Sequence, residues 1–371
     1  MVAPGLHVVA RGPGTASATV ERSELCAVNA DPVGASILVP VLNEESHIES
    51  SIRAMLEQGF ERGVEVLVID GGSQDGTRGI IERLGRSDER VRIFSNPQRR
   101  TPQGLNIGLR NARGEYVARM DAHTYYPPDY IARAVQRFEQ GGVECVSGPQ
   151  VPYGEGTWSR RIALALRTKL GMGGASFRNA KREMECDTAF TGVWRRALLL
   201  ELGGWDERWP VNQDAELAAR IREAGGKIVS IPDMAARYVP RDSLSALARQ
   251  YWRYGQYRAK TAHHHAGGMR KSHVLPPGAV ISLAGAALTR GRTNRLARLG
   301  VLLYGIALGS ATAYTAASEE ASLADLASLP LVLATMHLSW GAGFLVGCVR
   351  FGPPTGALAR QTGMARSRSA S

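Results

Sequence analysis

The chain has 371 residues, of which 44% are hydrophobic and 21% are charged, and its formal net charge is +11. That length allows one large α/β core with an accessory region, and the positive charge favours an anionic partner such as a phosphorylated substrate or an acidic lipid surface. No zinc-finger, RNA-recognition or basic-zipper pattern occurs, so we expect no nucleic-acid partner. The four cysteines are widely spaced without a Cys-x-x-Cys pair, which indicates neither a disulfide framework nor a zinc site.

The N-terminal residues 1–34 are rich in Ala, Gly, Val and Pro, and they lack the basic start and unbroken apolar run of a secretory signal. We interpret them as a flexible tail. From residue 35 to about residue 149, short apolar runs alternate with amphipathic stretches, which predicts a mostly parallel α/β sheet. The predicted strands are residues 36–41, 64–69, 91–94, 116–120 and 145–147, and the predicted helices lie near residues 45–58, 76–84, 102–111 and 128–139.

A second, less regular half follows in residues 151–241, with a helix predicted near residues 214–223. In residues 243–260, apolar and aromatic residues recur at helical spacing among arginines. This spacing predicts a basic amphipathic helix suited to a membrane surface.

The composition changes after residue 277. Residues 299–317 and 326–349 contain no Asp, Glu, Lys or Arg, and each segment is long enough to cross a hydrocarbon core of about 30 Å. Arginines precede the first segment and follow the second, whereas the loop between them carries only acidic charges. This asymmetry predicts two transmembrane helices with the α/β domain in the cytoplasm. Residues 278–288 are too short to span and predict an interfacial or re-entrant helix. The alternative is that all three are buried helices of a larger soluble fold.

Ligands of parallel α/β sheets bind beyond the carboxyl ends of the strands, and three predicted strand ends here carry suitable residues. The first strand ends in Pro40-Val41-Leu42-Asn43-Glu44 before a helix, a turn that suits phosphates, although Asn43 could instead cap the helix. The second ends in Asp70, whose carboxylate can accept hydrogen bonds from a base or ribose, while the glycines after it let the backbone approach a flat ligand. We interpret Asp75 as a helix cap. The segment is not a G-x-G-x-x-G fingerprint, so no nicotinamide cofactor is implied.

The fourth strand ends in Arg119-Met120-Asp121-Ala122-His123. Because alternate residues leaving a strand point the same way, Asp121 and His123 are predicted to face one site. A carboxylate and an imidazole suit Mn²⁺ or Mg²⁺ shared with a diphosphate. Farther along the chain, Asp214 begins a helix, where its carboxylate is either an N-terminal cap or a general base.

In their order, these motifs resemble family 2 glycosyltransferases with the GT-A fold. The matching segments are Pro40 to Glu44, Asp70-Gly-Gly-Ser-x-Asp-Gly-Thr77, Gly104-Leu-Asn106, Ala112-Arg-Gly114, Asp121-Ala-His123, Gly203-Gly-Trp-Asp206 and Gln213-Asp214. The resemblance covers roughly residues 35–260. Within the family, the chain looks most similar to membrane-attached enzymes that build succinoglycan-like exopolysaccharides on lipid carriers.

The resemblance implies a role for each matching residue. Asp214 would be the catalytic base, and Asp121 with His123 would stand at the family's Asp-x-Asp metal motif. The residues implied to bind the donor are Pro40, Asn43, Glu44, Asp70, Gly71, Ser73, Asn106, Asp121, Gln250 and Arg253. Trp205 and Trp252 are the implied acceptor-binding residues.

The sequence departs from the family pattern in three places. His123 replaces the second Asp of the metal motif, and Gln213 replaces the usual Glu before Asp214. Processive members carry Gln-x-x-Arg-Trp, whereas here Gln250-Tyr-Trp-Arg253 is followed by Tyr254. This last difference argues against processive polymerisation and leaves Gln250 and Arg253 as candidate diphosphate contacts.

The organisation that follows is a tail (1–34), a GT-A domain (35–241), an amphipathic interfacial helix with a linker (242–275), a membrane region (276–350) and a basic cytoplasmic tail (351–371). The resemblance implies an inverting transfer of a sugar from a nucleotide-sugar donor, with UDP-sugars favoured, to a lipid-linked or saccharide acceptor in cell-surface or exopolysaccharide synthesis. Partners in a polysaccharide-assembly complex are a further expectation. Two alternatives are a transferase acting on polyprenyl phosphate, whose anionic nucleophile needs no base, and a non-catalytic nucleotide-sugar-binding subunit of a membrane assembly.

Overall fold

The computed structural model describes residues 33–175 and 181–362, so most of the predicted N-terminal tail and residues 363–371 of the predicted C-terminal tail lie outside the described residues. The described strands are β1 (Ala35–Val41), β2 (Val64–Asp70), β3 (Val91–Ser95), β4 (Tyr116–Arg119), β5 (Thr124–Tyr125), β6 (Cys145–Ser147), β7 (Gln150–Pro152), β8 (Met184–Glu185), β9 (Val193–Arg195), β10 (Ile228–Ser230) and β11 (Ala236–Tyr238). The described α-helices are α1 (Ile48–Leu56), α2 (Thr77–Ser87), α3 (Thr101–Asn111), α4 (Tyr130–Glu139), α5 (Thr157–Arg167), α6 (Lys169–Met172), α7 (Arg196–Glu201), α8 (Gln213–Glu223), α9 (Leu244–His264), α10 (Leu275–Leu288), α11 (Gly291–Ser318), α12 (Leu323–Phe351) and α13 (Thr355–Gln361).

Eight of the described strands form one sheet in the order β3-β2-β1-β4-β9-β6-β10-β8, and β5, β11 and β7 form a small second sheet. Strands β3, β2, β1 and β4 are parallel to one another, as predicted. Strand β9 lies antiparallel between β4 and β6, and β8 lies antiparallel beside β10. The predicted α/β class with a mostly parallel sheet is confirmed. The sequence does not predict β5, β7, β8, β9, β10 and β11, because strands of two or three residues are too short to show a periodicity.

Both faces of the sheet are covered by helices, which explains why β1 and β2 are apolar almost throughout. Successive side chains of a strand alternate between the two faces. Ile37 and Val39 therefore pack in the cluster that includes α1, α2 and α4, whereas Leu38 packs in the cluster that includes α3 and α8. A sheet buried on both faces offers ligands only its edges, and this directs attention to the carboxyl ends of the parallel strands.

The predicted amphipathic helix is α9, but its apolar side faces another helix of the same chain. Helices α9 and α12 run parallel and in close contact, with Leu247 near Leu333 at one end and Ala259 near Gly347 at the other. A side-chain carbon at Gly255 would overlap the carbonyl oxygen of Trp340, and one at Gly343 would overlap that of Trp252. The helix axes approach this closely because glycines lie at the contact.

Helices α11 and α12 are long and apolar enough to be candidate membrane spans, at 28 and 29 residues. They differ in their packing. In its most apolar stretch, 39% of α12 is buried within the protein, whereas only 6% of the corresponding stretch of α11 is buried. Helix α10, the predicted short helix, packs against both α11 and α12.

Candidate active site

The carboxyl ends of the neighbouring strands β2, β1 and β4 meet at one edge of the sheet. In the strand register, Val41 lies opposite Asp70, and Leu38 lies opposite Arg119. The turn after β1 therefore stands between the loop that follows β2 and the loop that follows β4. This places the predicted residues of all three loops at a common edge.

Asp70 is fully buried at the end of β2, and one of its carboxylate oxygens makes no hydrogen bond. Its Oδ1 accepts hydrogen bonds from Gly72 N at 3.1 Å, Ser73 N at 2.9 Å and Ser73 Oγ at 2.8 Å. Its Oδ2 forms an ion pair with the Arg78 guanidinium at 3.5 Å and accepts no hydrogen bond from the part of the chain that the structure describes. A buried carboxylate oxygen without a hydrogen bond is costly, and such a group calls for a functional explanation. Oδ2 is thus the oxygen of Asp70 that has no hydrogen bond within the described residues.

The loops after β1 and β2 are fastened to each other. Asn43 has a left-handed backbone with φ 57°, and its side-chain oxygen accepts a hydrogen bond from Gln74 N at 2.8 Å. Its own backbone N–H donates to Ser73 Oγ at 3.0 Å. Asn43 is therefore not the cap of α1, whose N-terminal flanking residue is His47. Asp75 is not the cap of α2 either, since Gly76 is the N-terminal flanking residue; the Asp75 carboxylate accepts from Thr77 N at 3.0 Å and from Glu45 N at 3.2 Å and so adds to the fastening of the two loops.

Arg119 is the central residue of the site, and the sequence prediction assigned it no role. Its guanidinium donates to Asp121 Oδ1 through Nε at 3.1 Å, to Asp121 Oδ2 through Nη2 at 3.3 Å, and to Asp214 Oδ1 through Nη1 at 2.8 Å. The ring of Phe190 lies 4.5 Å from the guanidinium carbon, a cation–π distance. Only 5% of the Arg119 side chain is exposed. One buried cation thus joins the predicted metal ligand to the predicted base.

The two carboxylates decide the charge state of this cluster. Burial opposes the positive charge of Arg119, but Asp121 and Asp214 outweigh that effect and raise the pKa of Arg119, so the guanidinium stays protonated. Burial also disfavours the charged form of Asp214 and so raises the pKa of its carboxyl. Arg119 opposes this rise and Asp121 reinforces it. A carboxylate with a raised pKa is a stronger base than a free one.

Asp214 is the second residue of α8 and is held at the site by contacts with α9. Asn212, just before α8, has a left-handed backbone with φ 60°, and its Nδ2 donates to the carbonyl oxygen of Tyr254 at 3.0 Å. The indole Nε1 of buried Trp209 donates to Thr261 Oγ1 at 3.1 Å. The loop that leads into Asp214, the predicted base, is therefore fixed by a helix that is distant in the sequence.

His123 lies in the turn between β4 and β5 and meets the loop after β1. Its Nδ1 lies 3.1 Å from Glu44 Oε1. This hydrogen bond raises the pKa of the His123 imidazole despite its burial, and Asp121 adds to the rise. A carboxylate bonded to one ring nitrogen is the usual support for a histidine whose other nitrogen binds a metal. The imidazole of His123 and the carboxylate of Asp121 are therefore a donor set that fits Mn²⁺ or Mg²⁺.

Two predicted site residues have other environments. Trp205, the predicted acceptor contact, is 1% exposed and packs edge to face on Trp194 at 5.6 Å, so this prediction is corrected: Trp205 is a core residue. Asn106, a predicted donor contact, holds the Gly203–Asp206 turn. Its Nδ2 donates to the Trp205 carbonyl at 2.8 Å, and its Oδ1 accepts from Trp205 N at 2.9 Å.

The predicted diphosphate contacts lie on α9. Gln250 Nε2 donates to the Tyr254 hydroxyl at 2.9 Å, while Arg253 and Trp252 are exposed. Through the bond from Asn212 to Tyr254, this part of α9 adjoins the loop that carries the base. The diphosphate role of Gln250 and Arg253, like the acceptor role of Trp252 and the donor roles of Pro40 and Gly71, stays a prediction.

Comparisons with known proteins agree with this architecture. The profile described as "Glycosyl transferase family 2" matches residues 36–201. Over 312 residues the chain is 33% identical to the succinoglycan biosynthesis protein ExoA of Rhizobium meliloti (strain 1021), covering 83% of this chain and 93% of that protein. Over 229 residues it is 26% identical to the dolichyl N-acetyl-alpha-D-glucosaminyl phosphate 3-beta-D-2,3-diacetamido-2,3-dideoxy-beta-D-glucuronosyltransferase of Methanococcus voltae, covering 59% of this chain and 71% of that protein.

A solved structure has the same fold. It is the mannosyltransferase PcManGT from Pyrobaculum calidifontis in complex with GDP-Man and Mn²⁺, with a TM-score of 0.51 and 22% identity over 87% of this chain and 88% of that chain. An identity this low supports the GT-A fold alone.

Asn106 provides a test of how the site is built. Replacing Asn106 with Ala leaves the backbone N–H and C=O of buried Trp205 without partners, and each such loss costs about 1–3 kcal/mol. We expect Asn106→Ala to lower the free energy of unfolding by at least about that amount, measured by thermal or denaturant unfolding of the purified protein. Asn111→Ala, on the same helix, is the control, because its amide bonds only the Ile107 carbonyl of its own helix. Equal unfolding curves for the two variants would contradict the structural role of Asn106.

Proposed function

Because the chain belongs to glycosyl transferase family 2 and is a glycosyltransferase, we propose that it moves a sugar, with inversion, from a nucleotide-sugar donor to a lipid-linked or saccharide acceptor. The product would be a cell-surface or exported polysaccharide. The observation that carries the proposal is the edge of the sheet where Asp70 offers a buried oxygen without a hydrogen bond and where Arg119 joins Asp121 to Asp214.

The nucleotide base of the donor would bind at Asp70. Oδ1 already accepts three hydrogen bonds from its own loop, so only Oδ2 remains for the ligand. One available acceptor matches the single ring N–H of uracil, whereas guanine presents an adjacent ring N–H and amino group. This comparison favours a UDP-sugar. Pro40, Gly71 and Ser73 would line the same pocket, with Asn43 and Glu44 in the turn beside it.

A divalent cation, Mn²⁺ or Mg²⁺, would be held by Asp121 and His123 and would supply positive charge to the departing nucleoside diphosphate. Glu44 would orient His123 through Nδ1, which leaves Nε2 as the ring nitrogen for the metal. The remaining ligands would come from diphosphate oxygens and water, because the described residues contain no group of three metal-ligating side chains.

Asp214 would remove the proton from the acceptor hydroxyl as that oxygen attacks the anomeric carbon and the bond to the nucleoside diphosphate breaks. A single displacement of this kind inverts the anomeric configuration. Burial makes Asp214 more basic, while Arg119 keeps it ionised and fixes its direction. The bond between Asn212 and α9 holds the loop before the base, so the carboxylate is oriented before substrate arrives.

We also place the enzyme at a membrane, with the α/β domain on the cytoplasmic face, where nucleotide sugars are present. Two apolar C-terminal helices that are candidate spans support attachment. The lipid-linked character of the acceptor and any partners in a polysaccharide-assembly complex belong to this proposal, and the two crossings inferred from hydropathy stay a prediction.

Replacing Asp214 with Asn tests the role of the base. The amide cannot accept the acceptor's proton, so turnover should fall by about 10² to 10⁴-fold, while binding of the nucleoside diphosphate should stay within a few-fold of wild type. Nucleotide release from a panel of UDP- and GDP-sugars by membranes that contain the protein measures turnover, and binding to the purified protein measures affinity. Asp233→Asn, at an exposed carboxylate of an ion pair with Arg133, is the control.

The same experiment separates the rival functions. Wild-type turnover by Asp214→Asn on a polyprenyl phosphate acceptor would favour an anionic nucleophile that needs no base. Donor binding by the wild-type protein without release under any acceptor would favour a non-catalytic subunit. Unchanged turnover on hydroxyl acceptors would remove Asp214 from the mechanism.

Arg119 is expected to set the pH range of activity. The cation lowers the pKa of Asp214 against the effects of burial and of Asp121. Arg119→Met removes it, so the pKa of Asp214 should rise and the acidic limb of the turnover profile should move to higher pH by about one to three units. Arg119→Lys keeps the charge and should keep the limb close to wild type. Thermal unfolding first checks that both variants are folded. Identical pH profiles for the folded Met and Lys variants would then contradict this role.

A further inference from the structure

The start of α12 is bound to the catalytic domain. Asp325 lies in the first turn of α12. Its carboxylate accepts hydrogen bonds from two arginines of α5, Arg160 through Nε at 3.3 Å and Arg161 through Nε at 3.1 Å. Arg167, the last residue of α5, lies 3.4 Å from Glu319 in the loop between α11 and α12. Helix α5 follows β7 and precedes β8, so it is part of the α/β domain. The acidic loop between the two candidate spans therefore contacts the domain that carries the active site.

The end of α12 lies against α9, the helix that holds the loop before Asp214. Gly347 packs on Gln256 of α9, and Gly352, just after α12, packs on the ring of His263. His263 Nδ1 lies 3.0 Å from the carbonyl oxygen of Pro353. Between the two ends, buried residues of α12 share one apolar cluster with α5 and α9, namely Leu329, Val332, Leu333 and Met336. Helix α12 is thus in contact with α5 of the catalytic domain at its start and with α9 along the rest of its length.

The close packing of α12 on α9 argues against a membrane crossing by α12. A helix of 21 residues such as α9 is about 32 Å long, close to the thickness of the hydrocarbon core. If α12 crossed the bilayer, α9 would enter beside it with the exposed side chains of Arg249 and Arg253. Charged side chains at that depth are strongly disfavoured. The hydrocarbon contact must therefore be made by other elements.

Helices α10 and α11 have the surface that such a contact requires. Their exposed apolar side chains include Leu275, Ile281, Leu288, Leu296, Leu299, Leu302, Leu303 and Ile306. Arg290, Arg292, Arg295 and Arg298 lie at the turn between the two helices and in the first part of α11. Residues 275–318 contain no Asp or Glu. Exposed leucines beside arginines, without any acid, match a leaflet with anionic headgroups.

We propose that α10 and α11 form a hairpin seated in one leaflet of an anionic bilayer, so that α12, the acidic loop and the active site all lie on the same side of the membrane. This seating rests on the proposed membrane attachment. The proposed seating differs from the two membrane crossings inferred from hydropathy. Hydropathy reports how long the apolar stretch of α12 is, but it does not report whether protein or lipid covers that stretch. The hairpin would be embedded in the leaflet. Helices α9 and α12 would lie between the hairpin and the loop that precedes Asp214.

Paired cysteine labelling tests which side the acidic loop occupies. Glu320→Cys places a thiol in that loop and Glu89→Cys places one on the α/β domain, and both glutamates are exposed. A membrane-impermeant maleimide is applied to intact cells and to inside-out vesicles, with the wild-type chain as the background for its native cysteines. The two variants should be labelled in the same preparation. Labelling in opposite preparations would overturn the one-sided seating while leaving membrane attachment intact.

A flotation assay tests the lipid partner. Vesicles of phosphatidylglycerol with phosphatidylcholine should bind the full chain, and changing Arg290, Arg292, Arg295 and Arg298 together to Gln should weaken binding by about 10² to 10³-fold. The matched control changes Arg53, Arg83, Arg86 and Arg90 to Gln. Equal loss in both variants, or equal binding to vesicles of phosphatidylcholine alone, would overturn the anionic leaflet as partner. Wild-type protein that neither floats nor pellets with membranes would instead remove the attachment itself.

Discussion

Arg119 imposes the main physical constraint on this protein, because its guanidinium is buried and must remain charged. A buried cation is tolerated only where carboxylates surround it, and here Asp121 and Asp214 provide them from elements far apart in the sequence. The end of β4 must therefore meet the start of α8, and the antiparallel β9 beside β4 brings Phe190 against the guanidinium. The same three charges orient Asp214 and Asp121, the proposed base and the proposed metal ligand, so a requirement of folding coincides with one of the proposed mechanism.

Around this cluster, the loops are held before any ligand arrives. Asp70 is fixed by its own loop, and that loop is fastened to Asn43 in the turn after β1. Glu44 of the same turn reaches His123 after β4. Side chains that are oriented in advance lose little further freedom when substrate binds. Helix α9 adds a second connection, since it holds Asn212 just before Asp214 and packs on α12, so the C-terminal helices also position the proposed base.

Much of the fold could be predicted from the sequence, because β1 and β2 are apolar runs and the helices between them are amphipathic. The positions of Asp70, Asp121 and His123 at one edge of the sheet were predictable for the same reason: each lies at or just after the end of a strand. The structural roles of Trp205 and Asn106 could not be predicted from the sequence. These two residues bond each other across 99 positions, and no sequence periodicity reveals a contact at that separation. The role of Arg119 escaped prediction because an arginine inside a strand reveals its function only through the carboxylates it meets. The packing of α12 escaped it because apolar composition is the same for a helix in lipid and a helix against protein.

The central claim is that the ends of β1, β2 and β4 form one pocket for a nucleoside diphosphate. An experimental structure with UDP and Mn²⁺ tests it most directly. The account predicts a hydrogen bond from the uracil ring N–H to Asp70 Oδ2 and a diphosphate beside Asp121 and His123, with Arg119 still bonded to Asp214. A nucleotide bound away from this edge, with Asp70 Oδ2 making no contact to it, would contradict the account.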